Sequence, residues 1–426
     1  MAHYLRNPLG FLRAAGARGD VVDLRLPRIG SVLLSNPSDI EEVLVGSNKS
    51  FVKDMFVRDL RRALGEGLLT SEGDFWRRQR RLAQPAFHRD RLQAYATQMV
   101  ASAERSAGLL RPGEVRDMHE HLMRLTLEIV TRTLFSSDVG DDATAVGTAV
   151  DALMDHFTNP LVVLIPNFHR LPLPGNRRFR EGMKRLDAII YRILARRRAD
   201  GGEDRGDLLS MLLSAEDQDG GRMSDVQLRD EVLTLFLAGH ETTANALGWA
   251  LFLLSRTPDV DARLGEEIRS VLGGRAPDLA DLPRLAYVEH VVTESMRLYP
   301  PAWAVAREAI EPIEIGGIRF PKGTPLWMSQ WVVHRDPRHF VDPDAFRPER
   351  WADGLAKRLP KFAYFPFGGG PRVCIGNAFA MMETTLLLAT IAQRFRFEEA
   401  PGARVVPYPA ITLRPRYGLS MRVLAR

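Results

Sequence analysis

The sequence contains only one cysteine, Cys374, among its 426 residues. A disulfide within the chain is therefore excluded, and we expect a reducing compartment, the cytoplasm. Long apolar runs are also missing, because the longest, residues 244–254, falls short of the roughly 20 residues that a membrane-spanning helix needs. Residues 1–20 carry three arginines and no sustained apolar segment. We therefore expect neither a signal peptide nor a membrane anchor.

The chain also lacks internal repeats and linkers. No Ser/Gly-rich or charged stretch is long enough to separate two cores, so we expect residues 1–426 to form one domain. The 58 Lys and Arg residues exceed the 53 Asp and Glu residues, which gives a net charge of +5. The arginines are scattered and have no aromatic residues interleaved with them. This pattern argues against a nucleic-acid binder and favours an acidic protein partner.

The cysteine lies in a stretch rich in glycine. Residues 367–376 read Phe-Gly-Gly-Gly-Pro-Arg-Val-Cys-Ile-Gly, and three glycines with a proline preclude a regular helix or strand. From Asn377 the apolar pattern becomes helical, so Cys374 precedes a helix N-terminus, where the helix dipole and backbone N–H groups favour a thiolate. Taken alone, however, a lone cysteine is more often a small buried apolar residue.

A second candidate site lies in a long predicted helix, which begins with the capping box Ser224–Asp225–Val226–Gln227 and runs to Leu254. Its middle contains Ala238–Gly239–His240–Glu241–Thr242–Thr243, a poor set of residues for an apolar helix. A threonine hydroxyl there can bond to the carbonyl of residue i−4 and open the helix locally, and Glu241 can relay protons. A zinc site of the HExxH type is excluded, because residue 244 is alanine rather than histidine.

Two shorter patterns also suggest specific interactions. Trp76 and Arg80 are one helical turn apart, so both can donate to one carboxylate, although the same pattern suits a solvated basic helix face. Glu294 and Arg297 are three residues apart on another predicted helix and can form an ion pair. On a protein surface such a pair contributes less than about 1 kcal/mol.

The expected secondary structure is mainly helical. Alternating apolar residues predict hairpins over 20–35 and 313–320, the second with a two-residue Gly316–Gly317 turn. Residues 56–72 lack periodicity and are expected to form a loop, and prolines preclude one long helix over 160–174. Further helices are expected over 98–134, 143–157, 179–198 and 285–299.

Four motifs occur in the order and at plausible spacings for cytochromes P450, which this sequence resembles. They are AGxxT at 238–242, ExxR at 294–297, PERW at 348–351 and FxxGxxxCxG at 367–376. The resemblance implies the cytochrome P450 fold, mainly α with a small β-rich region, in one catalytic domain. It also implies haem b, bound between the 225–255 helix and the cysteine loop, with Cys374 as the proximal thiolate ligand of the iron.

The resemblance further implies roles for individual residues. Glu241 and Thr242 are expected to be the catalytic acid–alcohol pair that delivers protons to dioxygen. Arg350 is expected to complete a buried structural ion cluster with Glu294 and Arg297. The expected cofactor-binding residues are Trp76, Arg80, Ala238, Gly239, Arg307, Phe367, Gly368, Arg372, Cys374 and Gly376. The expected substrate pocket includes Phe56, Leu235, Ala238, Ala302, Trp303, Val305 and Ile411.

The implied reaction is monooxygenation, which inserts one oxygen atom from O2 into a C–H bond of a bulky apolar molecule of the terpenoid, steroid or fatty-acid class. No flavin or iron–sulfur motif is present, so we expect electrons from a separate reductase with a ferredoxin or flavodoxin. We expect a bacterial-type, cytoplasmic monomer. The alternative within haem chemistry is a peroxygenase or isomerase that needs no external electrons, although the intact Glu241–Thr242 pair argues against it. A non-catalytic haem sensor is the remaining alternative.

Overall fold

The computed structural model describes all residues except 1–3, 5, 27–29, 136–142, 159–161, 163–167, 201–204 and 218–219. The chain divides into two compact units. The first unit comprises Met1–Met55, Ala107–His121 and Asn245–Arg426, and the second comprises Phe56–Ser106 and Leu122–Ala244. The expectation of one catalytic domain stays a prediction.

The first unit contains the sheets. Its strands are β1 (Val21–Asp23), β2 (Val32–Leu34), β3 (Phe51–Lys53), β4 (Val115–Asp117), β5 (Val305–Ala309), β6 (Ile313–Ile315), β7 (Ile318–Phe320), β8 (Pro325–Met328), β9 (Phe395–Glu399), β10 (Pro407–Pro409), β11 (Leu413–Pro415) and β12 (Ser420–Ala425). The largest sheet has the order β1-β2-β8-β5-β3, and only β2 and β8 pair in parallel. A second sheet has the order β4-β12-β9, and β10-β11 and β6-β7 form two-stranded sheets.

Both predicted hairpins form. β1 pairs antiparallel with β2, with Val22 opposite Leu33, and the turn residues 27–29 lie outside the described residues. β6 pairs with β7 through a turn at Gly316 and Gly317, whose φ angles are +58° and +76°. Two consecutive positive φ angles are the reason why this two-residue turn requires glycine.

The core of the first unit covers the five-stranded sheet. Leu34, Leu326 and Met328 are fully buried in it, and Phe362 and Phe365 pack in the same cluster. β8 is apolar and buried over most of its length, as expected for a strand in the middle of a sheet. The sheet therefore supports the chain just before the cysteine loop, which we define as residues 367–376.

The helices supply most of the regular structure. They are Pro8–Gly16, Pro37–Glu41, Met55–Asp59, Arg61–Leu64, Gly73–Ala83, Arg89–Ala107, Met118–Phe135, Ala143–Thr158, Pro174–Ala199, Leu208–Ser214, Asp225–Ser255, Pro258–Leu272, Ala286–Leu298, Gln330–Val333, Leu355–Arg358 and Asn377–Ala392. Shorter helical turns include Glu42–Gly46, Pro348–Trp351 and Gly370–Arg372. Within the described part of the second unit, the only strand-like pairing is a single bridge between Glu216 and Arg222.

The helix Asp225–Ser255, called the long helix below, begins as predicted. Ser224 N–H donates to Gln227 Oε1 at 2.8 Å, and Gln227 N–H donates to Ser224 Oγ at 3.3 Å. This reciprocal pair satisfies backbone donors at the helix start. In the part of the chain that the structure describes, no helix has both the length and the apolar character to cross a membrane.

Two secondary-structure predictions are wrong. Residues 56–72 do not form a simple loop, since Met55–Asp59 and Arg61–Leu64 are helical. The chain after them is held by a distant partner, because Leu68 N–H donates to the buried Glu231 carboxylate at 3.0 Å. The two helices are only five and four residues long, too short for a helical period to appear in the sequence, which is why the prediction failed.

The predicted helix over 98–134 is in fact two helices, Arg89–Ala107 and Met118–Phe135. Between them lie Pro112 and β4, with Gly113 at a φ of +92°. Proline and a left-handed glycine end a helix, so the sequence carried this signal. The expected helices over 143–157, 179–198 and 285–299 are present, and seven of the fifteen residues 160–174 lie outside the described residues.

Candidate active site

The cysteine loop leaves Cys374 exposed. Its backbone turns back on itself, because Cys374 N–H donates to the Phe367 carbonyl at 3.0 Å. The helix Asn377–Ala392 begins three residues after the cysteine, with Gly376 as its N-cap. A helix N-terminus carries partial positive charge and exposed N–H groups, so this position favours a thiolate.

Two glycines of the loop lie closer to their neighbours than a side chain would allow. At Gly370, where φ is +66°, an added Cβ would lie 1.9 Å from the Leu44 carbonyl oxygen. At Gly369 the added atom would lie 2.0 Å from the ring of Phe362. Gly368 also has a positive φ, +70°, but no described atom lies within 4 Å of its Cβ position. The space at this one position is therefore open.

The imidazole of His334 anchors the entrance to the loop. Its Nε2 accepts the N–H of Phe365 at 2.9 Å, and the Phe365 carbonyl accepts the N–H of Gly368 at 2.9 Å. Burial, together with the charges of Arg297 and Arg335, lowers the pKa of His334 well below its usual value. The ring is therefore neutral and keeps the lone pair that this bond requires.

The Glu294 carboxylate is the centre of a buried ion cluster. Arg297 donates to it through Nε at 2.9 Å and Nη2 at 2.8 Å. Arg350 Nε donates at 2.8 Å, and Trp351 Nε1 donates at 2.9 Å. Arg297 also donates to three carbonyl groups, including that of His334 at 2.8 Å. The cluster therefore joins the helix carrying the ExxR motif to the segments that precede the cysteine loop.

Burial acts on the Arg350 guanidinium of this cluster. It lowers the pKa of Arg350, although the attraction of Glu294 acts in the opposite direction. Glu294 and Arg297 are both fully buried. Removing one member of such a pair typically costs about 3–5 kcal/mol, because its partner charge is left without compensation in a dry interior.

Two of the predicted cofactor cations lie in the first unit. Arg307 lies in β5, and its Nη1 donates to the Ala306 carbonyl at 2.8 Å. Arg372 ends a single helical turn two residues before Cys374. Both side chains are half-buried. A guanidinium group is well suited to bind a carboxylate through two parallel hydrogen bonds.

Trp76 and Arg80 lie one turn apart on the helix Gly73–Ala83 of the second unit. Trp76 is 8% exposed and Arg80 is half-buried. This burial argues against the alternative of a fully solvated basic face. The neighbouring Arg78 is engaged elsewhere, because its Nε donates to Asp217 at 2.6 Å.

The long helix is buried almost throughout its length. Over residues 230–254, all of which are described, only Ala238, Gly239 and Thr242 are not buried. Thr242 Oγ1 donates to the Ala238 carbonyl at 2.5 Å, the predicted bond to residue i−4. The expected local opening of the helix is wrong, since the helix is continuous. The hydroxyl bond to the Ala238 carbonyl forms within this continuous helix.

The two ionisable residues between Gly239 and Thr242 are buried. Glu241 is 1% exposed and His240 is 2% exposed. His240 Nε2 lies 2.9 Å from the Met123 carbonyl, which can only accept, so this nitrogen donates a hydrogen bond. No group of three or more His, Cys, Asp and Glu side chains among the described residues is arranged to hold a metal ion.

The predicted substrate residues occur in both units. Phe56, Ala302, Trp303, Val305 and Ile411 are half-buried, whereas Leu235 is buried. The structure joins two of their segments, because Trp303 Nε1 donates to the Ala410 carbonyl at 2.9 Å. Ile411 follows directly in the chain. We call residues 410–413 the C-terminal loop.

Sequence reasoning missed two residues of the long helix that hold this loop. Asn245 Nδ2 donates to Thr412 Oγ1 at 3.0 Å, and Trp249 Nε1 donates to the Leu413 carbonyl at 2.9 Å. Asn245 could have been found from the sequence, because it is an asparagine within an apolar run and a buried amide needs hydrogen-bond partners. The identity of those partners was not visible in the local pattern.

Known proteins match this chain over nearly its whole length. A family model described as Cytochrome P450 matches residues 8–418. "Cyclooctatin synthase" of Streptomyces melanosporofaciens is 41% identical over 414 residues, which cover 96% of this chain and 89% of that protein. "Cyclooctat-9-en-7-ol 5-monooxygenase" of the same organism is 37% identical over 404 residues (93% and 86%). "Pentalenene oxygenase" of Streptomyces avermitilis is 36% identical over 423 residues (99% and 94%). The chain therefore belongs to the cytochrome P450 family.

Proposed function

We propose that this protein is a monooxygenase that inserts one atom of O2 into a C–H bond of an apolar terpenoid. The family match over residues 8–418 carries this proposal. The names of two relatives contain pentalenene and cyclooctat-9-en-7-ol, an unsaturated hydrocarbon and an unsaturated alcohol of the terpenoid class. The half-buried and uncharged Ala302, Trp303, Val305 and Ile411 suit a substrate of this kind.

The residues present fit haem b. Cys374 would hold the iron, because its exposed sulfur lies beside a helix N-terminus. The small residues Ala238 and Gly239 give the long helix a surface that a flat ring can approach. We propose that the propionates are bound by Arg307, Arg372, Trp76 and Arg80, and that Phe367, Gly368 and Gly376 shape the loop around the sulfur. When bound, the haem supplies the oxidising chemistry, and thiolate ligation favours O–O cleavage.

The chain contributes position and protons. The hydrogen bond from Cys374 N–H to the Phe367 carbonyl limits the positions that the sulfur can take. The Thr242 hydroxyl donates a hydrogen bond to the Ala238 carbonyl, so its oxygen can accept a hydrogen bond from a water molecule. We propose that Glu241 holds a proton on its buried carboxyl group and passes it to that water.

We further propose that the electrons come from a separate reductase through an acidic ferredoxin or flavodoxin. The net charge of +5 supports an acidic partner. A monomer is the proposed working form, and the single cysteine supports a reducing, cytoplasmic location. These proposals predict turnover with NADPH and redox partners, whereas a peroxygenase would turn over with hydrogen peroxide alone.

The thiolate assignment is tested by Cys374→Ser. The purified variant should lose the red-shifted absorption band of the reduced carbon-monoxide complex that thiolate ligation produces. Thr390→Ser removes one methyl group from the following helix and serves as the control, which should keep the band. A Cys374→Ser protein that retained the band would show that another residue is the ligand.

The reaction is tested with pentalenene and cyclooctat-9-en-7-ol as probes. Incubation with NADPH, a ferredoxin, its reductase and isotopically labelled dioxygen should give a product that contains one labelled oxygen atom. Conversion that proceeds without dioxygen would contradict a monooxygenase. Failure to convert either probe, with intact haem binding, would contradict the proposed substrate class and leave the family assignment in place.

A further inference from the structure

The C-terminal loop is held at both ends by indole groups. Trp303 Nε1 donates to the Ala410 carbonyl at 2.9 Å, and Trp249 Nε1 donates to the Leu413 carbonyl at 2.9 Å. Both are side-chain donors from segments remote in sequence. The backbone on either side of Ile411 is therefore restrained by donors that lie outside the loop.

The middle of the loop is held by a chain of three side chains. His119 Nε2 and Asn245 Oδ1 are 3.0 Å apart, and Asn245 Nδ2 lies 3.0 Å from Thr412 Oγ1. An amide oxygen can only accept, so the histidine must carry its proton on Nε2 and donate. The amide nitrogen then faces the threonine hydroxyl and donates to it. The orientation of each group is thus set by the group before it.

Two of these three side chains are buried, and His119 is half-buried. Asn245 is fully buried and Thr412 is 7% exposed, so an amide that lost either partner would leave a buried polar atom without a hydrogen bond. His119 is itself held in place, since its backbone N–H donates to Asp117 Oδ1 at 2.9 Å. The same carboxylate oxygen accepts the N–H of Leu419 at 2.9 Å.

We propose that His119 is a positioning residue that sets substrate selection through Asn245 and Thr412. The inference rests on the proposed function, because Ile411 of the same loop is taken to contact the substrate. An apolar terpenoid offers few hydrogen bonds, so the shape of the wall must discriminate between substrates. A wall that can move discriminates less, and His119 limits this movement without touching the substrate.

The experiment compares His119→Phe with His119→Gln in the haem-loaded protein. Phe cannot donate to Asn245, whereas Gln can supply an N–H group at a similar distance along the side chain. His290→Phe, the same change outside this chain of bonds, is the control. Losing one neutral hydrogen bond should accelerate deuterium exchange in the C-terminal loop by about two- to twelvefold. His119→Gln and the control should exchange at the rate of the unmodified protein.

Selectivity is measured with two probes that bind haem iron through a nitrogen atom, imidazole and the bulkier phenylimidazole. The ratio of their two dissociation constants should change by about two- to twelvefold in His119→Phe, the same range as the exchange rate. The ratio should return to its original value in His119→Gln. This rescue separates positioning from a general loss of stability, which would not alter the ratio.

Each other outcome overturns part of the proposal. Unchanged exchange in His119→Phe would show that the chain of bonds does not hold the loop. Faster exchange with an unchanged ratio would show that the loop does not govern selection. If His119→Phe does not fold, Thr412→Val breaks the same chain from its other end, and Thr412→Ser is its rescue. No spectral change with imidazole in the unmodified protein would refute the haem assignment, and the exchange rates would still decide whether His119 holds the loop.

Discussion

Replacing Trp351 by Phe removes one hydrogen bond from the buried Glu294 carboxylate. The indole Nε1 donates to Glu294 Oε2 at 2.9 Å. The replacement keeps an aromatic ring beside Tyr364, whose ring centroid lies 4.7 Å from that of the indole. The substitution therefore removes one hydrogen-bond donor and the difference in volume between an indole and a phenyl ring.

The expected loss can be worked out from the contacts that stay. Glu294 Oε2 keeps the bond from Arg297 Nε at 2.9 Å, so the carboxylate is still compensated. The cost should then equal that of one hydrogen bond to a charged group, about 1.5–3 kcal/mol. It should stay below the roughly 3–5 kcal/mol that follows when a buried ion pair is broken.

Trp331→Phe provides the matched control for the lost volume. Trp331 is 8% exposed and Trp351 is 6% exposed, so both changes remove a similar buried surface. Trp331 Nε1 has no acceptor among the described residues. The smaller ring can still pack against Arg335, whose guanidinium lies 3.6 Å from the indole centroid. The difference between the two variants isolates the bond to Glu294.

The assay is urea unfolding at equal haem saturation, followed by circular dichroism and by the thiolate absorption band. Trp351→Phe should lower the free energy of unfolding by about 1.5–3 kcal/mol more than Trp331→Phe does. Its thiolate band should also disappear at a lower urea concentration, because the cluster supports the approach to the cysteine loop. Equal destabilisation by the two substitutions would refute this account of the cluster.

Two further substitutions have matched controls. Thr242→Ala should retain haem but release more hydrogen peroxide per NADPH consumed, because the hydroxyl no longer holds the proton-carrying water. Thr243→Ala removes the same atoms one residue later, and equal peroxide yields from both variants would contradict the role of Thr242. At Gly370 φ is positive, and an added Cβ would lie 1.9 Å from the Leu44 carbonyl oxygen. Gly370→Ala should therefore lower the free energy of unfolding by more than the roughly 1–2 kcal/mol that a positive φ costs by itself. Gly402→Ala, with a φ of +76° and open space, should show only that smaller cost in the urea midpoint. Equal midpoints would count against the clash.

The elements that could be predicted from the sequence depend on neighbours in the chain. The Ser224 capping box joins residues three apart, and the Thr242 hydroxyl bonds to a carbonyl four residues earlier. The Gly316–Gly317 turn needs only its own two φ angles. In each case both partners stand within one turn of chain, so residue type and spacing are sufficient to predict the interaction.

The elements that could not be predicted depend on distant partners. Residues 56–72 show no periodicity, and the Leu68 N–H among them bonds to Glu231, far along the chain. The ion cluster is an intermediate case. The spacing of Glu294 and Arg297 indicated a pair, and the family resemblance added Arg350, but neither showed that the Trp351 indole also donates to the carboxylate.

The sequence alone was sufficient to predict three features: the thiolate candidate, the start of the long helix and the threonine that bonds within that helix. Each of these depends on local geometry. The tertiary fold decided which distant residues form hydrogen bonds with each other. His119 and Asn245 are 126 residues apart, and Asn245 and Thr412 are 167 residues apart. A buried amide must find partners wherever the folded chain supplies them, because water is excluded there. The sequence shows that a polar side chain in an apolar helix needs hydrogen-bond partners, and only the folded structure shows which residues they are.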